Sequence, residues 1–67
     1  MTSQEFKYAR ESLGLSVTEL SIKLGMSPDG RNIRRWEDGT RPPNPVAVRC
    51  LKWFMAGFDP DALNVKL

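Results

Sequence analysis

The sequence predicts an all-α fold of four to five short helices, built as a single domain over residues 1–67. Three observations lead there. Helix caps and glycine stops alternate along the chain at helix-sized intervals. The apolar residues between them recur at spacings of three and four. No segment reads as a strand.

Each element is set by its punctuation. Thr2 and Glu5 stand three apart as a capping box, so the first helix starts behind Thr2. Phe6, Ala9 and Leu13 share its inner face, and Gly14 is placed to stop it. Ser16 and Glu19 repeat the box. Leu20 and Leu24 form the second apolar stripe, with Val17 and Ile22 supporting, and Gly25 ends that helix. Met26-Ser27-Pro28-Asp29-Gly30 is a turn. Ser27 or Asp29 is expected to cap the third helix, and Pro28 suits a first helical position. That helix runs from Arg31 to Asp38, with Ile33 and Trp36 inward and Gly39 as its stop. Thr40-Arg41-Pro42-Pro43 is expected to be extended, because proline pushes its predecessor out of the helical region. Asn44-Pro45 is a cap followed by proline, opening a fourth helix from Val46 to Ala56 that stops at Gly57. Asp59-Pro60 repeats that device for a last short turn or helix, Asp61 to Asn64.

Composition narrows the chemistry. There is one cysteine and no histidine. That excludes an internal disulfide, a cysteine-built metal site and every Ser-His or Cys-His nucleophile pair. No metal, cofactor or small-molecule ligand is expected, and no active site can be assembled. No apolar run approaches the roughly 20 residues of a membrane span. Met1-Thr2-Ser3-Gln4-Glu5 lacks the basic start and apolar stretch of a signal peptide. A soluble, cytoplasmic binding protein with no membrane partner is the expectation.

Net charge is only +2, from ten Lys and Arg against eight Asp and Glu, so placement matters more than total. Lys7, Arg10 and Lys23 balance Glu5, Glu11 and Glu19 from Met1 to Met26. Arg31, Arg34 and Arg35 then fall within five residues that hold no acid, and Arg41 comes soon after. Arginine's planar fork suits phosphates and guanine edges. On composition alone, an ordinary solvated helix face and a polyanion contact both fit.

The second and third helices form a helix-turn-helix candidate over about 16–38. Ser21 is the small residue where the two cross, and Gly25 permits the turn. Leu20, Leu24, Met26, Ile33 and Trp36 lock them together, leaving the outer face of the third helix free for a major groove. Here the chain resembles a known family. Leu13-Gly14-Leu15-Ser16, Glu19-Leu20-Ser21, Leu24-Gly25-Met26-Ser27 and Ile33-Arg34-Arg35-Trp36-Glu37-Asp38-Gly39-Thr40-Arg41-Pro42 stand in unbroken order. They are similar to the xenobiotic-response-element family of Cro- and lambda-repressor-like regulators. The resemblance implies a lambda-repressor-like domain that binds double-stranded DNA. It further implies a homodimer on an inverted-repeat operator, acting as a repressor or autoregulator of phage or mobile-element type. Small regulators encoded beside anti-CRISPR genes are built this way.

By position, the resemblance makes Arg31 and Arg35 the base-reading residues. They lie four apart on one face. Gly30 and Asn32 flank the approach, Arg34 leans to phosphate or solvent, and Ser27, Thr40 and Arg41 complete the DNA-contacting set. In families of this shape a first-helix arginine pairs with the glutamate after the third-helix tryptophan, which implies a structural pair of Arg10 and Glu37. Two features depart from the family. Val17 stands where glutamine usually contacts phosphate, so that contact is lost or replaced. Ile33 falls six positions after Ser27, which makes Pro28-Asp29-Gly30 an insertion of about two residues where the third helix meets DNA.

Cys50 is expected to be a buried small hydrophobe in an apolar helix, since the chain has no histidine to pair with it. Ala47, Leu51, Phe54 and Phe58 keep the helical period toward the core, which leaves Val46, Cys50 and Trp53 on a second apolar face. That face is either a richly packed core end or a subunit interface, and the interface is preferred because one thin core cannot easily cover both. The alternative function is an antitoxin or protein-interaction adaptor working through this fourth-helix face.

Overall fold

The computed structural model describes residues 1–58. The expected last turn, Asp61 to Asn64, lies outside the described residues. Four helices succeed one another: α1 (Ser3–Ser12), α2 (Val17–Lys23), α3 (Arg31–Asp38) and α4 (Pro45–Met55). No strand occurs among the described residues.

Three of the helix starts are set locally. Thr2 accepts from the Glu5 amide at 3.1 Å while the Glu5 carboxylate accepts from the Thr2 amide at 2.8 Å. Ser16 and Glu19 repeat this, both bonds at 3.0 Å. These bonds hold the Glu5 and Glu19 carboxyls below the ordinary glutamate range, because backbone amides favour the charged form. Asn44 Oδ1 accepts from the Val46 amide at 2.8 Å, with Pro45 at the first position of α4.

Phe6, Ala9, Leu20, Ile33, Trp36, Ala47 and Leu51 form the buried core, with at least one residue from every helix. α3 packs against both α1 and α2, and α4 packs against α1. The Phe6 and Trp36 rings meet edge to face, with centroids 5.6 Å apart. Leu13, Leu15, Val17, Leu24, Met26, Val48 and Phe54 close the margins. Ser21 is buried, as a helix crossing requires, and its hydroxyl has no hydrogen-bond partner.

The structure corrects several sequence expectations. Ile22 is exposed and supports no stripe. It lies two positions from Leu20, about 200° around the helix, so the two cannot share a face. Phe58 is largely exposed instead of core: it comes after the left-handed Gly57, which turns the chain off the α4 axis. Its ring then meets Trp53 edge to face at 6.1 Å. Pro28 does not open α3, since the rest of the turn separates it from the helix proper. Thr40 and Arg41 bend back instead of extending, because the Arg41 amide donates to the Arg35 carbonyl at 3.2 Å.

No helix among the described residues is long and apolar enough to cross a membrane.

Candidate nucleic-acid interface

The site is the outward face of α3. At 100° per residue, Arg31, Arg34, Arg35 and Asp38 project away from Ile33 and Trp36. All four are exposed, while Ile33 and Trp36 are buried. Arg31 and Arg35 stack one turn apart. No ion pair among the described residues engages the side chains of Arg31, Arg35 or Arg41.

The helix is fixed from beneath. Arg10 Nε donates to Glu37 Oε2 at 2.7 Å, Arg10 Nη2 to Glu37 Oε1 at 2.9 Å, and Arg10 Nη1 to the Leu15 carbonyl at 2.9 Å. One guanidinium thus joins α1, the chain leading into α2, and α3. The hydrogen bonds to Glu37 raise the Arg10 pKa above its ordinary value, against the cost of partial burial. Arg10 and Glu37 therefore pair across the core margin, facing away from the arginine surface.

The leading end of α3 is built differently from what the turn residues suggest. Its N-cap is Gly30, left-handed at φ 65°, with no capping side chain of its own. Gly30 is buried, and a Cβ there would overlap the Val17 Cγ1 methyl. Gly30 therefore does not flank an open approach; it is the seat on which Val17 rests. Asp29 supplies the missing cap from one residue earlier, its Oδ1 accepting from the Arg31 amide at 3.0 Å. The Arg34 guanidinium donates to the Asp29 carbonyl. Arg34 is exposed to solvent and also ties the helix to its own leading turn.

The remaining expected residues are distributed around both ends of the helix. Ser27 is exposed, and its carbonyl accepts from the Gly30 amide at 3.2 Å. Asn32 is exposed at the edge of a cleft between α3 and α4, shared with Trp36, Val46 and Cys50. It lies about 60° from Arg35 and about 100° from Arg31, so it borders the arginine face on the side of α4. Thr40 and Arg41 wrap the trailing end. The Thr40 amide donates to Asp38 Oδ1 at 2.7 Å. Bonds from Thr40 hold the Asp38 carboxyl below its ordinary range, helped by the charge on Arg35.

Sequence reasoning missed the part played by three residues. Asp29 and Asp38 bracket the arginines, one at each end of the face. Val17 appeared as a support for the α2 stripe and as the loss of a polar contact, yet its methyl also shapes the start of α3. The signal for the Val17–Gly30 contact was present: a glycine next to a helix start, and a β-branched residue at the first position of the helix before it.

On α4, Val46 is 72% exposed and Trp53 53% exposed, with Cys50 half-buried between them. This apolar face lies outside the core. No group of three metal-ligating side chains occurs among the described residues.

In comparison with known proteins, no family model, curated protein or solved structure matches the chain.

Proposed function

We propose that this chain is a sequence-specific, non-catalytic DNA-binding regulator of the Cro and lambda-repressor type. In this reading α2, the 24–30 connection and α3 form its helix-turn-helix, and α3 enters the major groove. One observation carries the reading: a short helix presents Arg31 and Arg35 side by side, exposed and outside any ion pair among the described residues, while its other face is bolted to the core. A major groove about 12 Å wide admits such a helix, and arginine pairs bidentately with guanine there. Arg41, at the trailing end of α3, contributes backbone contacts. Repression, most simply of the protein's own gene, results from occupancy alone.

The face formed by exposed Val46 and Trp53 with half-buried Cys50 between them supports a homodimer. A two-fold pair would present two α3 helices to successive major grooves about 34 Å apart, matching an inverted repeat.

The test is selection from random duplexes, then titration of the enriched duplex at several salt concentrations. Arg31, Arg35 and Arg41 from two subunits, at about −0.9 per phosphate neutralised, give a log–log salt slope between about −3 and −5. No enrichment and a slope near zero overturn the reading. Trp53→Ser is expected to give monomers by sedimentation with helical content retained. Unfolding instead would put Trp53 in the core.

A further inference from the structure

The leading end of the arginine face carries an acid. In a surface meant only to attract phosphate, a carboxylate at that end opposes binding. Asp29 is nevertheless exposed and held from three sides. Its Oδ1 accepts from the Arg31 amide. Its carbonyl accepts from the Arg34 guanidinium. The next residue, Gly30, is buried beneath Val17 and pins the peptide between them. One carboxylate oxygen is used internally, and the other has no partner among the described residues. A carboxylate fixed in a groove has one favourable use, which is to accept from an exocyclic amine. Cytosine N4 is the base donor that acids read in the major groove.

We propose that Asp29 is a specificity-determining residue, its free carboxylate oxygen accepting from a cytosine amine beside the base pair read by Arg31. This rests on the duplex-binding reading of α3 and deepens it. Three features act as one device. Val17 against Gly30 sets the height of the turn, and Arg34 restrains it. The carboxylate then both reads a base and keeps phosphate from the α3 N-terminus. The arginines bring affinity, and the acid removes the sites they would otherwise accept.

A cap alone would also place an aspartate here, so the test must separate charge from capping. Asp29→Asn keeps the acceptor that caps Arg31, since asparagine caps as well as aspartate. It removes the charge and adds an amine that favours adenine. Random-duplex selection is run on the wild-type chain and on Asp29→Asn, with circular dichroism on both. The expected result is equal helicity and a preference at one base pair per half-site that moves from cytosine toward adenine. Affinity for scrambled duplex is expected to rise by about three- to tenfold, as a like charge leaves the phosphates. Asp29→Ala is expected to lose the preference without acquiring a new one. Identical base preferences for wild type and Asp29→Asn, with both enriching duplexes, overturn the role of Asp29 alone. Failure of the wild-type chain to enrich any duplex overturns the binding reading itself.

Discussion

Helices α2 and α3 are neighbours of nearly equal length, Val17–Lys23 and Arg31–Asp38, and they begin in opposite ways. α2 opens on a reciprocal box in which Ser16 and Glu19 satisfy each other's amides. α3 opens on a left-handed glycine, has no acid in its first turn, and starts with an arginine. An arginine at a helix N-terminus opposes the macrodipole. α2 is therefore specified by its own sequence, whereas α3 depends on its surroundings: Ile33 and Trp36 in the core, Glu37 held by Arg10, and Gly30 under Val17. α3 has no acid within its first turn, and tertiary contacts make good the loss. Mutations at each start set the two kinds of helix against each other.

The largest effect is expected at the seat of α3. Gly30→Val combines a left-handed β-branched residue with overlap against Val17, a cost of about 3 kcal/mol or more. For a domain of this size that is a large share of the total stability. Adding Val17→Ala is expected to recover the steric part and leave the backbone part. A chemical-denaturation double-mutant cycle reads the difference. Strict additivity would break the comparison, because α3 would then not lean on α2.

Glu37→Ala comes next. It strands the Arg10 guanidinium at the core margin and frees α3 from beneath. The pair is only partly buried, so the expected loss is about 2 kcal/mol, below the range for a fully buried pair. Hydrogen exchange is expected to quicken in α3 more than in α2.

Ser16→Ala removes one half of the α2 box, for about 1 kcal/mol. Exchange is expected to quicken in the first turn of α2 and to leave α3 unchanged. If α3 responds as strongly, the two helices share one cooperative unit and their different starts carry no energetic meaning.

The smallest effect is the acid limb of stability. Glu5, Glu19 and Asp38 have lowered pKa values in the folded chain. The unfolded chain then binds more protons than the folded one across the window between the two sets of values. Their contribution is fully present above the ordinary carboxylate range, near pH 4. It is lost as pH falls through the lowered native values. Melting temperature against pH is expected to fall on acidification and to flatten for Glu19→Gln, while an unchanged acid limb in that variant would show that the α2 box is not charge-dependent.

Legibility from the sequence divides along the same line. Thr2, Ser16 and Asn44 disclose their helices because a cap acts within three residues of its own position. The limits of α3, the inward Ile33 and Trp36, and the core residues Ala47 and Leu51 are given by glycine stops and period alone. The construction of the α3 start could not be read this way. Ser27 and Asp29 both satisfy the local rule for a cap, but the lack of room for a side chain at Gly30 is set by Val17, thirteen positions earlier. Arg34 likewise reads as a free cation until the turn closes and brings the Asp29 carbonyl within its reach. Asp38 reads as the helix end rather than as a neighbour of Arg35. Phe58 misleads because the helical period continues in the sequence after Gly57 has turned the backbone away. In each case the deciding contact or turn is one that a spacing rule does not see.

Trp36 is 7% exposed against the Phe6 ring, and Trp53 is 53% exposed on α4. The chain therefore carries two tryptophans in opposite surroundings. Trp36 emission is expected to be blue-shifted and to move red only when the core opens. Trp53 emission should lie further red and be reached first by an aqueous quencher. A second subunit or another protein covering α4 would shield Trp53 and leave Trp36 untouched. Folding and association can thus be followed at separate wavelengths in one unlabelled sample.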